Sequence, residues 1–345
     1  MEEASSKTSK REDVQNDPLN FSKKSIFRKD PVYDKAQFLG FSLNTDDRLV
    51  NYMGLEDEQK DWKSRVQVMK EAIEQIRNSD KINPSEKCIK IFMAPEFFFR
   101  GKKGAYDMDT ASKIPTALRN LVKDPSYKDW LFVFGTIVAF TKDEREVHAP
   151  YTVYNYSLVQ KGNGTEKDSV IVMKERMSSL DYLRANSPDN KKITMMNLQI
   201  PKIKIDAKPR DEEQRKNYDG HAIFEMDGIR FGIEICIDNL RSRIDNSKLS
   251  ADSPIDIQLV PSCGIQSFDL KVAQKLKENG MVFLVDGKRN GTSTLLQKSR
   301  KEILPLSCEK LNLDPKRFGE SVFFGDGSLN VYPSKELIKS KDKGF

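Results

Sequence analysis

Three apolar runs stand out in a chain otherwise dense in charge, and strand-like segments of this kind end on chemically reactive side chains. Residues 88–99, 130–140 and 229–237 are strongly apolar, whereas 1–31 and 184–219 are strongly polar. Cys88–Ala94 runs into Pro95-Glu96, Ser169–Met173 into Lys174, and Ile229–Ile235 into Cys236. A rigid scaffold presents side chains to a pocket at strand ends. Taken singly, an acid after a strand is a cap, a lysine is surface, and a cysteine is a small core residue. A carboxylate, an ammonium and a thiol, each following its own apolar strand, make a different pattern.

The remaining periodicity gives an alternating set of elements. Ala36–Asn44 reads as a first strand, and Asp57–Asn78 as an amphipathic helix with Trp62, Val66, Met69, Ile73 and Ile76 near helical spacing. Thr110–Val122 is a second helix, and Trp130–Phe140 one strand covered on both faces. Thr152–Gln160 and Ser169–Met173 form a hairpin around Lys161-Gly-Asn-Gly164, and His221–Met226 pairs with Ile229–Cys236 across Asp227-Gly228. Ile255–Pro261 and Met281–Asp286 are strands, Asp269–Glu278 a helix, and Ser321–Phe324 and Ser328–Tyr332 short strand-like pieces. Hairpins mixed with helices between strands point to an α+β layered fold. Residues 1–33 read as a flexible polar tail, 34–295 as one domain with 181–219 as a lid-like insertion, and 296–345 as its C-terminal extension.

Composition removes several classes of function. The net charge of +6 is a small difference between 58 basic and 52 acidic groups, intermixed along the chain, so no nucleic-acid partner is expected. The four cysteines, Cys88, Cys236, Cys263 and Cys308, form no CxxC pair, so neither a metal site nor a cofactor is expected. Scattered thiols in a chain of 345 residues suit a reducing, cytoplasmic setting. The N-terminus lacks the apolar core of a signal peptide, and no run of 18 apolar residues predicts a membrane span. A papain-like Cys–His pair would need His148 or His221, and neither has a protease-like setting.

Seven segments, in order, resemble motifs of the nitrilase (carbon–nitrogen hydrolase) superfamily. These are Ala94-Pro-Glu-Phe-Phe-Phe99, Phe134-Gly-Thr136, Tyr154–Gly162, Val172-Met-Lys174, Asp227–Asp238 around Gly-Ile-Glu-Ile-Cys-Ile-Asp, Leu259-Val-Pro-Ser262, and Glu278–Asn290. The resemblance runs from about residue 36 to 295. It implies a four-layer α-β-β-α sandwich of two mixed sheets, pairing through outer helices into a homodimer or larger assembly, with the C-terminal piece across the interface. It also implies hydrolysis of a non-peptide carbon–nitrogen bond, most readily an amide of a small molecule, through a thioester. Cys236 would be the nucleophile, Glu96 the proton shuttle, and Lys174 with the Ile237 N–H the oxyanion donors. Glu213 would be a supporting glutamate, and Phe98, Phe99, Arg100, Asn155, Asp238 and Asn239 would line the substrate site. Phe97 is a further aromatic candidate, and Arg241 falls one residue late for the arginine that follows the nucleophile. Cys236 is expected to be a low-pKa thiol that iodoacetamide labels ahead of the other three. A soluble acyltransferase and a non-catalytic interaction protein are the alternatives on the same frame.

Overall fold

The structure, a computed structural model, describes residues 32–46, 53–142, 151–176, 178, 222–244, 254–265, 273–288, 291–299, 302–312, 322–323 and 327–337. The chain opens with β1 (Lys35–Ser42), then α1 (Glu58–Arg77) and β2 (Cys88–Met93), which lies parallel to β1. Asp57 starts the helix by accepting the N–H groups of Gln59 and Lys60, and Asn78 closes it, so the boundaries follow the capping chemistry in the sequence. The next elements are β3 (Tyr106–Asp107), α2 (Met108–Ala111), α3 (Lys113–Leu121), β4 (Trp130–Val133), β5 (Ile137–Lys142), β6 (Tyr151–Lys161) and β7 (Ser169–Met173). The second half holds β8 (Ile223–Met226), β9 (Ile229–Ile233), the one-turn helix α4 (Ile237–Leu240), β10 (Ile255–Ser262), β11 (Leu276–Asp286), β12 (Thr292–Ser299) and β13 (Glu302–Leu306). It closes with β14 (Glu309–Asn312), β15 (Ser328–Val331) and β16 (Lys335–Glu336).

These strands form two mixed sheets. The first runs β14-β15-β1-β2-β4-β6-β5-β3, with β16 on β1 and β7 on β6; the second runs β13-β12-β11-β10-β9-β8. Alternation along β2 makes the layers. Ile91 and Met93 face an inner core shared with Ile233, Ile257 and Phe283 of the second sheet, and Phe92 faces an outer core with Met69 and Ile73 of α1 and Leu118 of α3. The fold is therefore an α+β sandwich with sheets face to face. Among the described residues, the helices longer than one turn lie on the first sheet, and none is long and apolar enough to cross a membrane.

Four expectations are corrected. Trp130–Phe140 is two strands, because the chain turns at Phe134–Thr136, where Gly135 has φ +74°. Leu276–Glu278 belongs to β11, not to a helix. Asn279 in the left-handed region and Gly280 form a bulge, and the strand continues beside β10 (Ile255↔Leu276, Ile257↔Met281). Residues 269–272 of that expected helix lie outside the described residues. Val322 and Phe323 form a bend rather than a strand. The boundary at 296 falls inside β12, and the C-terminal strands complete both sheets of their own chain, with β15 beside β1. The Asp227-Gly228 turn is as expected, with φ of 51° and 75°, the left-handed pair of a type I′ hairpin.

Gly135 links this frame to the site. A Cβ there would lie 2.2 Å from the carbonyl oxygen of Pro95, the residue before Glu96. Gly135→Ala is expected to destabilise the fold by about 2 kcal/mol or more, from the left-handed φ and the backbone clash. Urea unfolding measures this, and a change within about 0.5 kcal/mol, the range of an ordinary surface substitution, would contradict it.

Candidate active site

The three strand-end residues meet at one end of the sandwich, each held by its backbone. The Glu96 N–H donates to the Ser262 carbonyl on the second sheet (3.3 Å), and its own carbonyl accepts the Thr45 hydroxyl (2.7 Å). The Lys174 N–H donates to the Asn155 carbonyl on β6 (2.8 Å). The Cys236 N–H donates to the Pro261 carbonyl on β10 (3.1 Å). Cys236 has φ 49° and ψ −112° and directly precedes α4. A non-glycine residue held in such a conformation stores on the order of 1–3 kcal/mol of strain, maintained by its surroundings.

The side chains converge as well. Lys174 Nζ lies 2.8 Å from Glu96 Oε1, and both residues are 0% exposed. Asn155 Nδ2 donates to the same oxygen at 3.0 Å. Cys236 is 6% exposed, its thiol approaches the Cys263 carbonyl at 3.9 Å, and it lies within the electrostatic reach of Glu96 and Lys174. Burial pushes this thiol well above its ordinary value, the Glu96 carboxylate pushes it the same way, and Lys174 opposes both. The expected low-pKa thiol is thus corrected: burial and the neighbouring Glu96 favour the protonated sulfur.

The surrounding residues separate into those at the centre and those that hold it. Asp238, expected at the substrate, is buried and accepts the N–H groups of Glu175 and Arg176, both at 2.8 Å. It pairs with Arg243 (3.1 Å), which also donates to the Met173 carbonyl (2.8 Å). Asp238 thereby fastens the segment on both sides of Lys174 to the helix that follows Cys236. Asn239, also expected at the substrate, donates instead to Glu234 (2.7 Å), which further accepts Gln258 (2.6 Å) and the Ile244 N–H (2.8 Å). Phe98 and Phe99 point into the outer core, with Phe98 against Phe41 and Phe323. Phe97 faces the centre instead, 5.7 Å from Lys174 Nζ and 4.1 Å from the Arg100 guanidinium. Arg100 is buried and donates to the Gly104 carbonyl at 3.3 Å. Ile237 is the first residue of α4, where an N–H has no acceptor within its own helix. Glu213 lies outside the described residues.

Sequence reasoning missed Arg243, Glu234 and Asp286. Asp286 accepts the Ser262 hydroxyl and the N–H groups of Gly264, Ile265 and Lys288, fixing the loop that carries Cys263. For Glu234 and Asp286 the signal was an acid inside or ending an apolar strand, since such a group is buried only with partners.

No family model matches the chain, and no curated protein matches it. The solved structures it resembles include amidases. An amidase from Nesterenkonia sp. is 11% identical, with 92% of this chain and 94% of that chain covered and a TM-score of 0.46. A variant of the Nesterenkonia AN1 amidase from the nitrilase superfamily is 10% identical, with 87% and 92% covered and a TM-score of 0.46. Glutamine-dependent NAD+ synthetase from Acinetobacter baumannii is 14% identical, with 88% of this chain and 48% of that chain covered and a TM-score of 0.41. At such identities the chemistry rests on the site's own geometry.

Thiolate absorbance provides a direct check on that geometry. The difference between wild type and Cys236→Ser is expected to appear only above pH 9.0, the ordinary thiol value. Because the folded-state pKa is raised, the thiol favours the fold below that value, and its contribution is lost as pH rises further. Half-titration near neutrality would contradict this protonation state.

Proposed function

We propose that the protein is a hydrolase of non-peptide carbon–nitrogen bonds, acting on a small-molecule amide through a thioester on Cys236. The observation that carries this is the fully buried contact of Lys174 with Glu96 at 2.8 Å, with the buried Cys236 thiol close enough for both charges to act on it. As Cys236 Sγ attacks the amide carbon, Glu96 takes the thiol proton, so the raised thiol pKa is relieved in the step that forms the carbon–sulfur bond. Lys174 and the Ile237 N–H stabilise the oxyanion in a water-poor setting, where fixed charges act strongly. Protonated Glu96 then hands its proton to the departing nitrogen as the carbon–nitrogen bond breaks. It next takes a proton from water, whose oxygen attacks the thioester carbon; the acid leaves and the thiol is restored.

Asn155 holds Glu96, and Asp238 with Arg243 holds Lys174, so these three act as positioning residues. Phe97 forms the aromatic wall. Assembly as a homo-oligomer and a cytoplasmic setting, in keeping with four free cysteines, belong to the same proposal.

Cys236→Ala and Cys236→Ser are expected to abolish ammonia release in a screen of amides, carbamoyl amines and nitriles. Their melting temperatures should stay within a few degrees of wild type, as the change removes at most one buried atom. Release by either variant at the wild-type rate would reject the mechanism.

A further inference from the structure

The inward face of α1 carries a charged knot in an otherwise apolar surface. Asp61 and Arg65 are 0% and 2% exposed, beside Trp62, Met69 and Ile73 of the outer core. Arg65 Nε donates to Asp61 Oδ1 at 2.7 Å. Its Nη1 donates to the Phe98 carbonyl at 2.9 Å, and its Nη2 to the Met53 carbonyl at 2.5 Å. The guanidinium also lies 4.6 Å from the centre of the Phe323 ring. Asp61 is saturated in turn, by the Leu55 N–H at 2.7 Å and by the Tyr106 hydroxyl. Well-packed apolar residues commonly serve stability as well as a buried ion pair does, so such a pair calls for a reason beyond stability.

That reason lies in the loop the knot grips. Phe97 follows Glu96 directly and has φ 64°, an outlying conformation for a bulky side chain. Two hydrogen bonds bracket it. Its own N–H donates to Thr136 Oγ1 at 2.8 Å, and the next residue's carbonyl accepts from Arg65 at 2.9 Å. The left-handed turn breaks the alternation of the three phenylalanines. Phe98 and Phe99 enter the outer core, while the Phe97 ring turns the other way, between the Arg100 guanidinium and Lys174 Nζ.

We infer that Arg65, braced by Asp61 and Tyr106, is a positioning residue that acts from the outer layer, holding the Phe97 peptide left-handed and so setting the aromatic wall of the centre beside Lys174 and Glu96. The inference rests on the proposed reading of Glu96, Lys174 and Cys236 as the reactive centre.

The test uses iodoacetamide on the full-length protein, with the modification of Cys236 and Cys263 followed separately by peptide mass spectrometry. Cys263 packs in the same small cluster as Phe97, and its carbonyl lies 3.9 Å from Cys236 Sγ, so simple loosening of this region exposes both thiols together. Lost positioning slows Cys236 alone. Arg65→Met is expected to lower the Cys236-to-Cys263 rate ratio by about fivefold or more, because the reagent's carbonyl is no longer aligned. In a Phe97→Gly background, where glycine takes the positive φ without strain, adding Arg65→Met is expected to change the ratio by less than about twofold. Tyr106→Phe, which unbraces Asp61 and leaves Arg65 in place, should give an intermediate fall and serves if Arg65→Met does not fold. An unchanged ratio in both Arg65→Met and Tyr106→Phe, or the same fall with and without the Phe97 ring, overturns the inference and leaves the reactive centre standing. A wild-type Cys236 that resists the reagent even at alkaline pH removes the reactive centre, and the inference with it.

Discussion

The buried contact between Lys174 and Glu96 constrains the rest of the molecule. Taking two charges out of water costs several kcal/mol per ion, and only close geometry with further hydrogen bonds offsets it. Here the offset comes from a 2.8 Å approach and from Asn155, which donates to the shared carboxylate oxygen. Neither residue can reach its partner through local structure, since they lie 78 positions apart and on different strands. The first sheet must therefore set β2 and β7 in register through β4 and β6 before the pair can form.

The second sheet supplies the sulfur, and the two sheets are joined at this point by backbone as well as by apolar packing. Glu96 donates across to Ser262 on β10, and Cys236 donates to Pro261, the adjacent residue of the same strand. Carboxylate and thiol are thus referenced to neighbouring peptide groups, which limits drift between them. Asp238 and Arg243 add a second tie, from α4 to both sides of Lys174. The layers around the centre are apolar, so these few polar ties act where water competes little.

Much of this was legible in the sequence, for definable reasons. The helix over Asp57–Asn78, the Asp227-Gly228 hairpin turn and the apolar strand from Cys88 are local signals, and the structure follows them. The three strand-end residues were legible because each interrupts an apolar run. Less legible were features set by one unusual φ. Phe97 in the left-handed region reverses which aromatic faces the centre, so reading Phe98 and Phe99 as pocket lining picked the wrong neighbours. Asn279 turned an expected helix end into a bulged strand in the same way. Arg243 was missed because its partner Asp238 lies five residues earlier across a one-turn helix, a separation with no periodic signature. The thiol was expected to have a low pKa, whereas burial and Glu96 outweigh Lys174 in the folded chain.

The interdependence of the buried pair is open to a measurement that needs no substrate. Urea unfolding of Lys174→Met, Glu96→Gln and the double variant closes a thermodynamic cycle. Lys174→Met, which strands a buried carboxylate, is expected to cost about 3–5 kcal/mol. The double variant should cost less than the sum of the two single losses by about 1–3 kcal/mol. Losses that add within about 0.5 kcal/mol would mean that the two groups do not depend on each other. The convergence on which the proposed active centre is built would then be contradicted.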